Sequence, residues 1–119
     1  MKEIIAVIRM SRMESTKNAL AAIGFESFTA YKVSGRGKQH GLEIAYPSEY
    51  GEEAEKKSMR CLPKRMISIV VEDCFVPAVV ALLMKVNRTG RIGDGRIFVC
   101  PIEDAVRIRT GERGDEVIS

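Results

Sequence analysis

Several residue types are scarce in this sequence. It contains no tryptophan, one histidine and three cysteines among 119 residues. Because Cys61, Cys74 and Cys100 are odd in number, widely spaced and form no CxxC pair, they argue against a zinc site and against a disulfide framework. No apolar run reaches the roughly 20 residues that a membrane-spanning helix needs, and the N-terminus does not resemble a secretory signal. We therefore expect a protein of the reducing cytoplasm, without membrane insertion.

Positive charge is only slightly in excess over negative charge. Nineteen Lys and Arg residues against 16 Asp and Glu residues give a net charge of +3. This balance permits a ligand that carries phosphate, whereas a dedicated nucleic-acid-binding protein has a strongly basic stripe. A composition of 45% hydrophobic and 29% charged residues is typical of a folded domain. The composition thus predicts one domain, residues 1–119, without a nucleic-acid partner.

The hydrophobic pattern predicts an alternation of strands and helices. Runs of β-branched and apolar residues indicate strands, and apolar residues spaced by three or four indicate helices. Gly24 is suited to end the first helix, and Pro77 is tolerated in the first turn of the second. The predicted strands cover 1–9, 28–33, 65–71 and 96–99, the helices 13–23 and 76–86, and a short extended piece covers 106–109.

This order predicts an α+β ferredoxin-like βαββαβ sandwich, with both helices on one face of an antiparallel sheet. A long polar stretch between the second and third strands, about residues 37–62, has no regular period, and we interpret it as a functional loop. The other sheet face carries apolar residues and has no third helix to cover it. Either a second copy of the chain or the long loop could cover this face, and we favour the second copy.

Two glycine-rich segments, 35–41 and 90–96, predict a site for a polyanion. Neither is a P-loop, and neither has the dinucleotide-binding spacing before a helix. Glycines allow backbone N–H groups to converge on phosphate oxygens, and neighbouring Lys and Arg residues supply opposite charge. Each segment alone is more often a plain turn, but two in one small domain favour the ligand site.

Three further cations are candidates for the same site. Arg107 and Arg109 are two residues apart on a predicted extended segment, so their side chains should share one face and could bind a diphosphate or triphosphate. The alternative is a solvated pair at a sheet edge. Lys64 begins a predicted strand, where its amine could reach a carboxylate ligand or be an ordinary strand-end charge.

Residues suited to catalysis are poorly placed. His40 has no Ser or Cys near it in sequence, and the carboxylates Glu49, Glu52, Glu53 and Glu55 cluster in the polar loop, where water would surround them. An acylphosphatase-like enzyme shares the predicted fold but does not need the second glycine segment. An RNA-binding module of the same fold needs stacking aromatics, and the central strands offer only Phe98. We therefore expect a protein that is not an enzyme.

The chain resembles the PII family of nitrogen-regulatory signal transduction proteins over nearly its whole length. Four segments carry the resemblance: MKEIIAVIR, VSGRGKQHG, TGRIGDGRIFVCPI and AVRIRTGE. TGxxGDGxIF followed by RxRTG is the most specific of these motifs. The GRGKQ segment and the ending RTGERGDEVIS are most similar to the nitrogenase-associated branch of the family.

The resemblance implies a homotrimer, or a mixed assembly with a sister protein, that binds nucleotide in the clefts between subunits. ATP and ADP would compete there, and 2-oxoglutarate would bind together with ATP and magnesium. Thr29 and Val70 would line the adenine pocket, and the arginines of the RxRTG motif would reach across a subunit boundary. The implied nucleotide site consists of Thr29, Gly35, Gly37, Lys38, Gln39, Lys64, Val70, Ile92, Gly93, Asp94, Gly95, Arg96, Arg107 and Arg109. The implied 2-oxoglutarate site consists of Gln39, His40, Gly41 and Lys64, with Gln39 as the magnesium ligand.

The resemblance also implies a function and some departures from it. The implied function is inhibition of nitrogenase when 2-oxoglutarate is low, and the alternative is a housekeeping regulator of an ammonium transporter or of glutamine synthetase. Arg96 stands where a lysine is usual, and Lys38 stands where many members have arginine. Tyr46 and Tyr50 lie in a loop that differs from the housekeeping branch, so we assign no tyrosine modification.

Overall fold

The computed structural model of the chain describes residues 1–35 and 62–118. In chain order its elements are β1 (Lys2–Arg9), α1 (Met13–Ala22), β2 (Thr29–Gly35), β3 (Leu62–Val71), α2 (Val76–Asn87) and β4 (Arg96–Pro101). Short 3-10 turns precede the helices at Met10–Arg12 and Asp73–Phe75, and a third covers Gly114–Val117. The predicted order of strands and helices is confirmed. The predicted long loop, apart from its last residue, lies outside the described residues.

Within the described chain, the strands form one antiparallel sheet in the order β2-β3-β1-β4. The central strand β1 fixes the register, since Ile4 lies opposite Ile69 of β3 and opposite Val99 of β4. Two helices crossing over such a sheet make the ferredoxin-like α+β fold. The predicted fold class is therefore confirmed.

Alternate residues of the two central strands form the core. Side chains two apart on a strand point to the same face, so every second residue of β1 and β3 faces the helices. Each helix adds apolar side chains from one stripe of its surface. The buried hydrophobic residues are Ile4, Ala6, Ile8, Leu20, Ile67, Ile69, Val71, Val79 and Leu83.

A buried polar pair joins the two helices. The Asn87 side-chain amide donates to Thr16 Oγ1 at 3.1 Å and to the Leu83 carbonyl at 2.9 Å. Thr16 Oγ1 in turn donates to the Arg12 carbonyl at 2.7 Å. Because each buried polar group has a hydrogen-bond partner, burying the pair lowers the stability of the fold only slightly. The pair also fixes the end of α2 relative to α1. This end is where the loop of the candidate site begins.

Neither of the two described helices covers the opposite face of the sheet. Ile5 and Val7 of β1 are half-buried there, and Phe98, which lies opposite Ile5, is 48% exposed. Tyr31 of β2 is 47% exposed on the same face. The uncovered apolar face agrees with the prediction from the sequence.

The prediction of an extended piece at 106–109 is wrong for residues 108 and 109. Val106 forms an isolated bridge with Arg113, and residues 108–110 form a turn. The turn is closed because the Arg107 N–H donates to the Glu112 carbonyl at 2.9 Å and the Gly111 N–H donates to the Arg107 carbonyl at 2.7 Å. Gly111 has a φ of +75°, which glycine adopts readily. Strand alternation therefore does not place Arg107 and Arg109 on one face.

The strands β2 and β3 extend further toward the long loop than predicted. The ladder of hydrogen bonds continues from the Val33–Lys64 pair to the Gly35–Leu62 pair. Pairing between neighbouring strands thus overrides the weak strand propensity of serine, glycine and proline in this stretch. In the part of the chain that the structure describes, neither helix has the length and apolar character needed to cross a membrane.

Candidate functional site

The loop between α2 and β4, residues 88–95, is organised around one carboxylate. Asp94 accepts hydrogen bonds from the backbone N–H groups of Thr89 at 2.8 Å and Gly90 at 3.0 Å, and from the Thr89 hydroxyl. The hydroxyl bond is the largest cause, followed by the Thr89 N–H, and together these contacts lower the pKa of Asp94 to about 2. Asp94 therefore shapes this loop and stays ionised at neutral pH.

Gly95 brings the same loop into direct contact with β1. Its φ is +104°, and a Cβ atom at this position would lie 1.8 Å from the carbonyl oxygen of Val7. No side chain can be accommodated at that distance, and the backbone conformation itself disfavours residues other than glycine. The glycine in the GDG motif is thus required for β4 to begin beside β1.

Two cations at the end of the sheet bind this loop. Arg9, the last residue of β1, donates from its guanidinium to the Ile92 carbonyl at 2.9 Å and lies 3.5 Å from the Asp94 carboxylate. Lys64 Nζ donates to the Gly93 carbonyl at 2.8 Å. The two cations are register partners on neighbouring strands, so their side chains emerge from the same face of the sheet.

This arrangement leaves an excess of positive charge. Burial lowers the pKa of Lys64, and the neighbouring Arg9 lowers it further, while Asp94 raises it. Among the described residues, the cations Arg9 and Lys64 lie beside the single carboxylate of Asp94, so the net charge here is positive and would stabilise a bound anion. We call Arg9, Lys64 and the loop 88–95 the anion end of the sheet.

Other predicted residues also lie at the anion end. Arg96 is exposed at the start of β4, and Ile92 is 60% exposed on the loop. Gly35 pairs with Leu62, two residues from Lys64, so the chain leaves β2 beside the cations. The predicted residues Gly37, Lys38, Gln39, His40 and Gly41 follow directly and lie outside the described residues.

The remaining predicted residues lie at the opposite end of the sheet. Thr29 begins β2 and Val70 is near the end of β3, and both line a cavity of about 760 Å³. Val117 and Ile118 from the end of the described chain line the same cavity. Thr29 lies opposite Ser68, whose hydroxyl donates to the Glu3 carboxylate at 2.5 Å. This end therefore combines apolar walls with a polar edge.

The two arginines of the RxRTG motif have different surroundings. The Arg107 guanidinium donates to the Glu112 carboxylate at 3.1 Å and to the carbonyls of Glu116 at 3.2 Å and Val117 at 3.5 Å. Arg109 is exposed on the turn at 108–110. Arg107 thus anchors the last described residues, while Arg109 has its side chain in solvent.

Within a single chain, the described residues of the predicted nucleotide site form two separate groups. Lys64 and Val70 are six residues apart on β3, which corresponds to about 20 Å along a strand. The structure brings Lys64, Ile92, Gly93, Asp94, Gly95 and Arg96 together, with Gly35 beside them. It does not bring Thr29, Val70, Arg107 or Arg109 to that end.

Arg9 was not identified from the sequence as a site residue. The available signal was its place as the last residue of a strand whose odd-numbered positions share one face. Its role depends on register, because only the pairing of β1 with β3 places Arg9 next to Lys64, which is 55 positions later in the chain.

Comparison with known proteins identifies the family. The family model for nitrogen regulatory protein P-II matches residues 1–112, and this chain belongs to that family. The nitrogen fixation nifHD region GlnB-like protein 2 of Methanothermobacter marburgensis is 54% identical over 121 residues, covering 99% of this chain and 100% of that protein. The nifHD1 region GlnB-like protein 2 of Methanosarcina barkeri is 44% identical, covering 97% of each chain.

A relative named without reference to nitrogen fixation is less similar. The nitrogen regulatory protein P-II of Rhodospirillum rubrum is 40% identical over 119 residues, covering 99% of this chain and all of that protein. The resemblance to the PII family and to its nitrogenase-associated branch, predicted from four sequence segments, is confirmed.

Proposed function

We propose that this chain is a regulator that senses ATP or ADP together with 2-oxoglutarate and acts on its target by protein–protein contact, without catalysis of its own. The observation that carries the proposal is the anion end of the sheet, where Arg9 and Lys64 lie side by side with Asp94 as the one carboxylate among the described residues. The nitrogen-fixation names of its relatives favour nitrogenase as the target, inhibited when 2-oxoglutarate is low.

The cations of the anion end suit a ligand that carries carboxylates. The Lys64 ammonium has three donors, so it can keep its bond to the Gly93 carbonyl and still bind a ligand oxygen. The Arg9 guanidinium adds a second positive charge nearby. A dicarboxylate such as 2-oxoglutarate would neutralise the excess charge.

The nucleotide phosphates would bind beside this position. Arg96 and Arg109 are exposed guanidiniums, which form paired hydrogen bonds with phosphate oxygens. No cluster of three His, Cys, Asp or Glu side chains that could hold a metal ion occurs within 1–35 and 62–118. The Asp94 carboxylate is engaged by Thr89 and Gly90. The resemblance to the PII family gives Gln39 as the magnesium ligand, together with the nucleotide itself, and the metal would offset phosphate charge.

A trimer would unite the two groups of site residues. The base-binding end of one copy, with Thr29 and Val70, must meet the anion end of another copy for one nucleotide to contact both. The uncovered apolar face with Phe98 and Tyr31 offers the surface that such copies could bury. The assembly is a homotrimer or a mixed trimer with a sister protein.

A housekeeping role is the second candidate. The 40% identity with the Rhodospirillum rubrum protein, named simply nitrogen regulatory protein P-II, favours it. In that case the target would be an ammonium transporter or glutamine synthetase, and the ligand site would be the same. Only the target separates the two candidates.

The test measures nitrogenase activity with the purified protein, ATP and magnesium. We expect inhibition without 2-oxoglutarate and recovery when 2-oxoglutarate is saturating. The Lys64→Ala variant should continue to inhibit at saturating 2-oxoglutarate, because it no longer binds the effector. Lys85→Ala removes an exposed lysine from α2, away from the site, and should behave as the unchanged protein.

Parallel assays with glutamine synthetase and with an ammonium transporter identify the alternative. An effect on one of these that depends on 2-oxoglutarate, with none on nitrogenase, would establish the housekeeping role. If 2-oxoglutarate changed neither binding nor activity of any target, the proposed effector would be wrong.

A further inference from the structure

A carboxylate and a hydroxyl form a pair on the face of the sheet without helices, at the end away from Arg9 and Lys64. The Ser68 hydroxyl of β3 donates to the Glu3 carboxylate of β1 at 2.5 Å. Both side chains are half-buried. Neither residue is among the predicted site residues, and the anion end of the sheet does not use them. We call them the Glu3–Ser68 pair.

Strand register places this pair beside the cavity of about 760 Å³. Thr29, which lines the cavity, lies directly opposite Ser68. Val70, which also lines it, lies directly opposite Glu3. Residues that face each other on neighbouring strands share one face of the sheet, and the strands are about 4.8 Å apart. The pair is therefore one strand away from both lining residues.

The Glu3 carboxylate can accept more hydrogen bonds than the one from Ser68. An ionised carboxylate has two oxygens with about four acceptor positions. Among the ion pairs of residues 1–35 and 62–118, none includes Glu3. Its neighbours on the same face, Val70 opposite and Ile5 next along β1, are apolar. A ligand that brings a donor to this position would therefore find an acceptor in surroundings where hydrogen bonds are strong.

We propose that Glu3 recognises the adenine base by accepting a hydrogen bond from its exocyclic amine, and that Ser68 is a positioning residue that holds the carboxylate in place. The inference rests on the proposed function, in that the base of a bound ATP or ADP lies against Thr29 and Val70. It adds the residue that determines which base is accepted.

The chemistry of the base explains why a carboxylate suits this role. Adenine carries an amine at position 6, which donates hydrogen bonds, whereas guanine and hypoxanthine carry a carbonyl oxygen there. A carboxylate only accepts, so it would face the position 6 oxygen of these bases as a second acceptor. Two facing acceptors without a donor are unfavourable, and a site of this kind rejects the base that lacks the donor.

The bond from Ser68 gives the carboxylate a fixed position. Without it, the Glu3 side chain would have to be ordered when the nucleotide binds, and this ordering would reduce the affinity. The hydroxyl occupies only part of the acceptor capacity, so the base amine does not compete with it. Ser68 therefore acts through Glu3, without contact with the base.

A second carboxylate at the cavity provides a matched control. Glu26 lies between α1 and β2, lines the same cavity and is exposed. Hydrogen bonds with an exposed carboxylate compete with water, whereas Glu3 is half-buried and held by a neighbour. We therefore expect Glu3, and not Glu26, to distinguish between bases.

The first test compares ATP with ITP by titration calorimetry, because the two share ribose and triphosphate and differ only at the edge of the base. The unchanged protein should bind ATP about 10–100-fold more tightly. Glu3→Gln keeps an oxygen that can accept from Ser68 and adds an amine that can donate to the oxygen of ITP. The preference for ATP should fall by about tenfold or more. Glu26→Gln should keep the preference of the unchanged protein.

The second test uses purine riboside triphosphate, which lacks any group at position 6. The unchanged protein should bind it about tenfold more weakly than ATP, because the bond to the amine is missing. Glu3→Ala should bind both nucleotides equally, since neither has a partner for position 6. Ser68→Ala should reduce the preference for ATP over ITP, and Ser68→Thr, which keeps the hydroxyl, should restore it. A purely structural role of Ser68 would weaken both nucleotides by the same factor.

The outcomes separate this inference from the proposed function. If ATP and 2-oxoglutarate bound normally but Glu3→Gln kept the preference for ATP, the inference would be wrong and the function would stand. Loss of the preference in Glu26→Gln alone would have the same meaning. Equal binding of ATP and purine riboside triphosphate by the unchanged protein would also overturn the inference, whether or not the variants fold. A protein that binds neither ATP nor ADP would contradict both proposals.

Discussion

At the scale of single residues, the site depends on two cations and one glycine. Arg9 and Lys64 are brought together by strand register, and both bind carbonyls of the loop at 88–95. Gly95 allows that loop to approach β1 so closely that the contacts can form. We therefore expect ligand binding to depend on the two cations and stability to depend on Gly95, and each can be tested separately.

Lys64→Ala is expected to abolish 2-oxoglutarate binding while most ATP binding persists. The ammonium is half-buried and directed at the loop, so its loss removes a charge-assisted bond to a carboxylate, worth about 1.5–3 kcal/mol. Titration calorimetry with 2-oxoglutarate, with and without ATP and magnesium, measures the effect. Arg9→Gln should also weaken 2-oxoglutarate binding, and Lys85→Ala should not. Undiminished 2-oxoglutarate affinity in Lys64→Ala would place the effector elsewhere.

Gly95→Ala is expected to lower the free energy of unfolding by about 2–5 kcal/mol, because its Cβ would collide with the Val7 carbonyl and its φ is positive. Gly90→Ala is the matched control. Gly90 has a φ of +84° but no atom within 4 Å of the added Cβ, so only the conformational cost of about 1–2 kcal/mol applies. Urea unfolding at one protein concentration compares the two variants. If both variants lost the same free energy of unfolding, the added Cβ at Gly95 would be accommodated beside the Val7 carbonyl without an energetic cost.

Stability should fall in acid partly because of Asp94. Its pKa in the folded protein is about 2, below the ordinary value of 3.8, so the unfolded chain binds the proton more readily. The contribution is present above about pH 4 and is lost as the pH falls toward 2. We expect the stability difference between the unchanged protein and Asp94→Asn to shrink over this interval. A difference that is independent of pH would show that the carboxylate charge has no part in it.

At the scale of elements, the turn at 108–110 replaces the predicted strand and separates the roles of two arginines. Arg107 is bonded to Glu112 and to two carbonyls, so it stabilises the last described segment. Arg109 is exposed in the turn. Measuring each single variant is therefore more informative than measuring the double variant alone.

The double variant Arg107→Ala, Arg109→Ala should weaken ATP and ADP binding at least tenfold, since each charge-assisted bond contributes about 1.5–3 kcal/mol. Arg109→Ala alone should weaken binding without changing thermal stability, whereas Arg107→Ala should affect both. Arg113→Ala is the matched control, because Arg113 is an exposed arginine near the turn that pairs with Asp104 at 2.8 Å. If a folded double variant bound nucleotide with unchanged affinity, the two arginines would be surface charges without a role in binding.

At the scale of the whole molecule, the uncovered sheet face requires an explanation. Phe98, opposite Ile5, and Tyr31 on β2 are each nearly half exposed there. The two groups of predicted nucleotide-site residues are about 20 Å apart on one chain, so the proposed site needs another copy as well. Both observations favour the same assembly.

Phe98→Arg is expected to dissociate the proposed trimer, because it places a charge in the surface that the copies would bury. Light scattering at micromolar concentration should give the mass of three chains for the unchanged protein and of one chain for the variant. Met10→Arg adds the same charge outside the sheet and serves as the control. A stable monomer of the unchanged protein would contradict the shared site.

Three features could be predicted from the sequence. They are the order of strands and helices, a sheet with one face covered by helices and one without, and the end of α1 at Gly24. Each depends on local geometry, because side chains alternate along a strand, recur every three or four residues along a helix, and glycine alone adopts positive φ freely. The residue types of the anion end could also be recognised, since Lys64 and the GDG motif are visible as letters in the chain.

The tertiary structure determines how those residues are arranged relative to one another. Arg9 joined Lys64 because antiparallel pairing aligns positions 55 residues apart, and no local pattern specifies that register. The strand predicted at 106–109 became a turn because backbone bonds to Glu112 and Gly111 outweighed the propensity of its β-branched residues. The contacts of Arg9 and Lys64 with the loop at 88–95 likewise join three segments that are distant in sequence, and only the folded chain brings them together.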